Sequence, residues 1–151
     1  MKQSFLTALF GGLLLVLTQL SYADGHLWQP LDKINLGALP IKKTHTVQVY
    51  SVPYEVPLTA KEILLYAYAR TGGKNPDKDM DVRIYTQSEN TPDATQYSYY
   101  LFVHGYGQSS WSYNSQTFWL PLTAYRQIRA ISTGTAMTGN ATSQLSVVGY
   151  R

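Results

Sequence analysis

The chain of 151 residues contains no cysteine. Disulfides, a cysteine nucleophile and a lipid-anchored lipoprotein are all excluded by that absence. Charge is also scarce, at 14% of residues, with 12 Lys and Arg against 9 Asp and Glu. So slight an excess does not point to nucleic acid, because such binding neutralises several phosphates with clustered cations. The nearest basic cluster, Ile41-Lys42-Lys43, reads as a solvated loop. The three histidines, His26, His45 and His104, do not fall at zinc-ligand spacing. Nor is there an H-E-x-x-H helix, a G-x-S-x-G elbow or a glycine-rich phosphate loop. After residue 24 no run is long and apolar enough for a transmembrane span.

One apolar run is present, Phe5 to Leu17, preceded by Lys2 and followed by Ser21-Tyr22-Ala23. A positive end, a short apolar core and a small-x-small exit make a cleavable secretory signal peptide, residues 1–23. A spanning helix needs about 20 apolar residues, and this run is shorter, with Gly11-Gly12 inside it. The expected location is therefore secreted, as a periplasmic intermediate or outside the cell. The remaining ~128 residues suffice for one core without disulfides. Lack of cysteine fits a bacterial exported protein.

Residues 24–44 show no sustained period and are broken by Pro30, Gly37 and Pro40. An extended N-terminal arm is expected there, with Trp28 and Leu31 as pins. From His45 the pattern becomes that of strands. Thr46 to Tyr50 alternates polar and apolar. Glu62 to Arg70 sets Ile63, Leu65, Ala67 and Ala69 on one side, against Leu64, Tyr66 and Tyr68. Its Ala, Leu and Glu favour helix, but the alternation and the Gly72-Gly73 stop favour strand. Asp81–Gln87, Tyr97–His104, Gln116–Leu120, Tyr125–Ile131 and Gln144–Tyr150 complete the set. Seven or eight short strands separated by turn residues predict an all-β protein. The expected architecture is an antiparallel β-sandwich over residues 45–151, jelly-roll or immunoglobulin-like.

With its signal peptide, its lack of cysteine and its tyrosine-rich strands, the chain resembles a group of small exported β-sandwich proteins. Gram-negative bacteria, Legionella-like intracellular pathogens among them, send these through the type II pathway. The resemblance implies a folded periplasmic intermediate and release from the cell. It carries over no site residue.

The candidate site lies in His104 to Ser115, a Gly- and Ser-rich stretch read as a loop. Tyr106, Trp111 and Tyr113 can stack on sugar rings or grip a peptide, and Gln108 and Asn114 can bond hydroxyls. The competing account has Trp111 folded back as a cover for the core. Further tyrosines on opposed strand faces suit ligand binding, or pairing of subunits in a homo-oligomer. Asp77, Asp79 and Asp81 alternate as ligands for Ca2+ can. The EF-hand pattern fails, with Val82 at its sixth position and Ser88 at its twelfth, and a solvated turn is the simpler account. His104 is a candidate base without an identifiable partner. Glu55, Glu62 and Glu89 are the only glutamates from which a glycosidase pair could draw. The expectation is a secreted, noncatalytic module that binds a glycan or an extracellular or host protein, with Ca2+ as the one candidate cofactor. The alternatives are a small carbohydrate-active hydrolase and an oligomeric envelope-associated structural protein.

Overall fold

Period-two alternation along the chain becomes eight strands. A computed structural model describes residues 27–75, 77–87, 95–107 and 111–151. The expected signal peptide, residues 1–23, and the first residues of the expected arm lie outside these. The strands are β1 (Gln29–Gly37), β2 (Val47–Ser51), β3 (Glu62–Thr71), β4 (Asp79–Gln87), β5 (Thr95–His104), β6 (Ser112–Pro121), β7 (Gln127–Gly134) and β8 (Thr142–Tyr150). The protein is all-β among the described residues. No helix in them is long and apolar enough to cross a membrane.

Two four-stranded antiparallel sheets pack face to face. The first has the order β1-β8-β3-β6 and the second β2-β7-β4-β5. Strand β1 thus pairs with β8, β2 with β7, β3 with β6 and β4 with β5. A long antiparallel ribbon rolled up on itself produces this set of pairs, so the sandwich is a jelly roll and not an immunoglobulin-like array.

Each strand divides its residues between core and outside. In β3, Ile63, Leu65, Ala67 and Ala69 are buried, and Leu64, Tyr66 and Tyr68 are half-buried. Ile63, Leu65, Leu145 and Val147 meet Val82, Ile84, Leu101 and Ile128 of the other sheet in one core. At about 25 cal/mol per Å2, burying each of these side chains contributes about 2 kcal/mol. On one side of the sandwich β5 and β6 close the gap between the sheets. Tyr99 stacks on Phe118 at 4.0 Å between ring centres, and the Asn114 amide donates to the Phe102 carbonyl at 3.0 Å.

Two segments differ from the sequence expectation. Gln29–Gly37, inside the expected arm, is strand β1 at the edge of the first sheet. Its register shifts between Pro30 and Ile34 and again between Asn35 and Gly37, which breaks the alternation that marks a strand. Strand β6 begins at Ser112, well before the apolar run at Phe118 to Leu120. Its first half is polar and is held by unbroken pairing to β3, from Thr71 opposite Ser112 to Glu62 opposite Pro121. Tyr113 and Asn114 therefore stand on a strand and not in a loop.

The winding sends the connections 38–46, 72–78, 105–111 and 135–141 to one end of the sandwich, here the upper end. Such loop clusters are where a β-sandwich carries its binding residues.

Candidate functional site

The upper end gathers the residues singled out in the sequence. Tyr106 and Trp111 lie in the connection from β5 to β6, Tyr113 and Asn114 at the start of β6, and Asp77, Asp79 and Asp81 around the start of β4. Gln108 lies outside the described residues.

Asp77 and Asp79 both face His104, which ends β5 opposite Asp79. The His104 Nδ1 is 2.5 Å from an Asp79 oxygen and its Nε2 is 3.3 Å from an Asp77 oxygen. An imidazole donates to both carboxylates only when it carries both protons. Tyr106 meets the same ring edge-on, with ring centres 4.3 Å apart. His104 thus has the partners that sequence spacing cannot reveal, 25 residues upstream for Asp79. The carboxylates of Asp77 and Asp79 point at the histidine, and Asp81 lies opposite Phe102, two residues further along β4. Among the described residues no group of three or more His, Asp or Glu side chains is arranged to hold a metal ion. Both aspartates are well exposed, so these contacts add little stability.

Trp111 takes a different place. Its indole lies over Gly72, where no side chain stands in its way. The Arg70 guanidinium carbon is 3.9 Å from its ring centre. Trp111 nonetheless stays 54% exposed. It covers the end of β3 from outside and is not a plug for the core. Tyr113 is paired with Arg70 across β3 and β6 and is 76% exposed.

Below them, the outer face of the first sheet continues the pattern. Tyr68 lies opposite Ser115, Tyr66 opposite Thr117 and Leu64 opposite Trp119. Lys33 sits 4.3 Å from the ring centre of Tyr66, and Arg151 4.6 Å from that of Trp119. Aromatic faces, cations and small hydroxyls alternate along this surface. Each cation–π pair on so exposed a face is worth about 0.5–1 kcal/mol.

Buried polar side chains hold the upper loops in register. Asn75, 2% exposed, donates from Nδ2 to the Gly72 carbonyl at 2.7 Å and accepts the Gly139 N–H at 2.8 Å. It ties the β3–β4 turn to the β7–β8 connection. The hydroxyl of Ser132, fully buried, shares its one proton between the carbonyls of Pro40 at 2.7 Å and Lys43 at 2.6 Å. The Tyr50 hydroxyl donates to the Ala38 carbonyl at 2.6 Å, and burial pushes its pKa well above the ordinary tyrosine value.

Asn114 keeps its amide on Phe102, joining the two sheets. Sequence reasoning passed over Arg70 and Asn75 as site residues. Only the place of Arg70 among the outer residues of β3, next to the Gly72-Gly73 stop, hints at a site. Of the glutamates, Glu62 is paired with Arg151 at the far end of the sandwich, Glu55 lies in the β2–β3 connection there, and Glu89 is outside the described residues. No protein-family model matches the chain, and no curated protein matches it either.

Proposed function

We propose that this protein is a secreted, noncatalytic binding module that recognises a glycan. The observation that carries the reading is the exposed aromatic corner of Trp111 and Tyr113 at the upper end of the first sheet. A sugar ring offers an apolar C–H face and a rim of hydroxyls. Exposed indole and phenol faces match the first, and Ser115, Thr117, Thr142 and Gln144 on the same outer face match the second. The buried core of a protein–protein interface is more apolar than its rim, and here polar side chains separate the rings. The upper loops are tied down by Asn75 and Ser132, so little ordering cost falls on binding.

A glycan array probed with labelled protein tests this. The expected result is a restricted set of bound glycans, lost in Trp111→Ala and Tyr113→Ala while circular dichroism and Tm stay unchanged. Binding that survives both substitutions would overturn the reading.

A second reading, a homo-oligomer, is favoured by the outer face of the second sheet. Val47, Val49, Tyr100 and Phe102 stand there with 45%, 46%, 49% and 65% of their surface exposed. Light scattering at several concentrations tests it, and a monomer at every concentration would dismiss it.

A further inference from the structure

Beside Trp111 the surface opens into two adjoining hollows. One, of about 310 Å3, is lined by Lys42, Arg70, Trp111, Asn140 and Thr142 among others. The second, of about 560 Å3, runs along the β1–β2 connection past Lys43, Thr46 and Gln48. They share Lys42, Ala141 and Thr142, so Lys42 stands at the join. Three cations line this cleft, and among the described lining residues there is no carboxylate.

The cations are placed on fixed backbone. Leu39 and Ile41, on the N-terminal side of Lys42, are buried in the core. The Met137 N–H donates to the Ile41 carbonyl at 2.9 Å. The Ser143 hydroxyl donates to Leu39 at 3.0 Å, and Ser132 holds Pro40 and Lys43 on either side. Lys42 and Lys43 therefore project from an anchored segment and not from a loose loop. The Arg70 guanidinium carbon lies over the Trp111 ring, 3.9 Å from its centre. A guanidinium carries five N–H donors and can bond a planar anion two at a time. Among the described residues no ion pair or hydrogen bond engages the side-chain nitrogens of Arg70, Lys42 or Lys43.

We infer that this cleft binds an acidic glycan, one whose sugars carry carboxylate or sulfate groups. The inference rests on the glycan reading above and narrows its ligand. Trp111 supplies the stacking surface, and Asn140 and Thr142 supply partners for hydroxyls. Arg70 and Lys42 take the acid groups of neighbouring sugar units. A neutral glycan would leave these cations without their counterpart. A combined volume of several hundred Å3 suits a short oligosaccharide.

Calorimetric titration of the protein with three hexasaccharides tests this: hexagalacturonate, a heparin-derived hexasaccharide and neutral cellohexaose. The expected result is binding of at least one acidic ligand, weakened by salt, with cellohexaose at least about tenfold weaker. The comparison of the two acidic arms tells carboxylate from sulfate. Lys42→Ala and Arg70→Ala should each weaken acidic binding about tenfold, the worth of one charge-assisted bond. Lys61→Ala, at the far end of the sandwich, should leave it unchanged. Lys42 is exposed on the surface, so its variant stays informative even if Arg70→Ala loses stability. Equal affinity for cellohexaose, with both cation variants silent and Trp111→Ala impaired, would overturn this inference and leave the glycan reading standing. Equal binding of duplex DNA, or an equal loss in Lys61→Ala, would reveal mere attraction to polyanions and overturn it too. No binding of any hexasaccharide, with an empty glycan array, would overturn both.

Discussion

The indole of Trp111 lies over Gly72 so closely that a β-carbon at Gly72 would overlap the ring. Gly72→Ala should therefore displace the indole from its seat beside Arg70. The obstacle is the end of a surface side chain, which can swing away, so the cost in stability should stay under about 1 kcal/mol. Tryptophan fluorescence should shift and glycan affinity should fall while Tm barely moves. Unchanged fluorescence and affinity would contradict the stacked arrangement.

Gly134 presents the opposite case. Its φ is +95°, and a β-carbon there would come within 2.6 Å of the Asp79 carbonyl oxygen. Backbone cannot swing aside, so Gly134→Ala should cost about 2 kcal/mol or more. Gly107 also has a positive φ, +71°, but its surroundings are open. Gly107→Ala should cost only the left-handed penalty of about 1 kcal/mol. Denaturant titration of the two variants in parallel checks the ranking.

Asn75 bonds two loops that are otherwise unconnected in sequence. Asn75→Ala would leave the Gly139 N–H and the buried Gly72 carbonyl without this partner. A loss of about 2–3 kcal/mol is expected, or a Tm lower by roughly 5–10 °C. Amide hydrogen exchange should speed up in both 72–75 and 137–141. Faster exchange in one loop alone would refute the coupling.

Tyr50 makes stability sensitive to alkali. Burial raises its folded pKa above the unfolded value of about 10. Below pH 10 the tyrosine is neutral in both states and its contribution is complete. Above pH 10 the unfolded chain releases the proton while the folded chain keeps it. Stability then falls by about 1.4 kcal/mol per pH unit from this residue, until the folded value is reached. Tyr50→Phe should cost about 1 kcal/mol at neutral pH, through the lost bond to Ala38. Its disadvantage should shrink and then reverse as pH climbs past 10. Denaturation curves of both proteins at pH 8 and at higher pH steps check the crossover.

Local chemistry determined much of this fold. Strand alternation depends on neighbours two residues apart, so β2, β3, β4, β5, β7 and β8 were visible in the sequence. Their number and spacing were enough for an antiparallel sandwich. The register shifts of β1 and the polar first half of β6 erased that local signal. Both strands exist because a partner strand offers them hydrogen bonds. Recognition of Tyr106, Trp111 and Tyr113 as candidate residues was likewise local, drawn from their side-chain chemistry. Where they point was not. The choice of jelly roll over immunoglobulin-like order, the meeting of His104 with Asp77 and Asp79, and the joining of Lys42 to Arg70 and Trp111 all depend on which loops the winding brings to one end. Residues so far apart along the chain share no periodic pattern. The single core decides their company, because Leu65 and Leu145 of one sheet and Ile84 of the other are buried together in it.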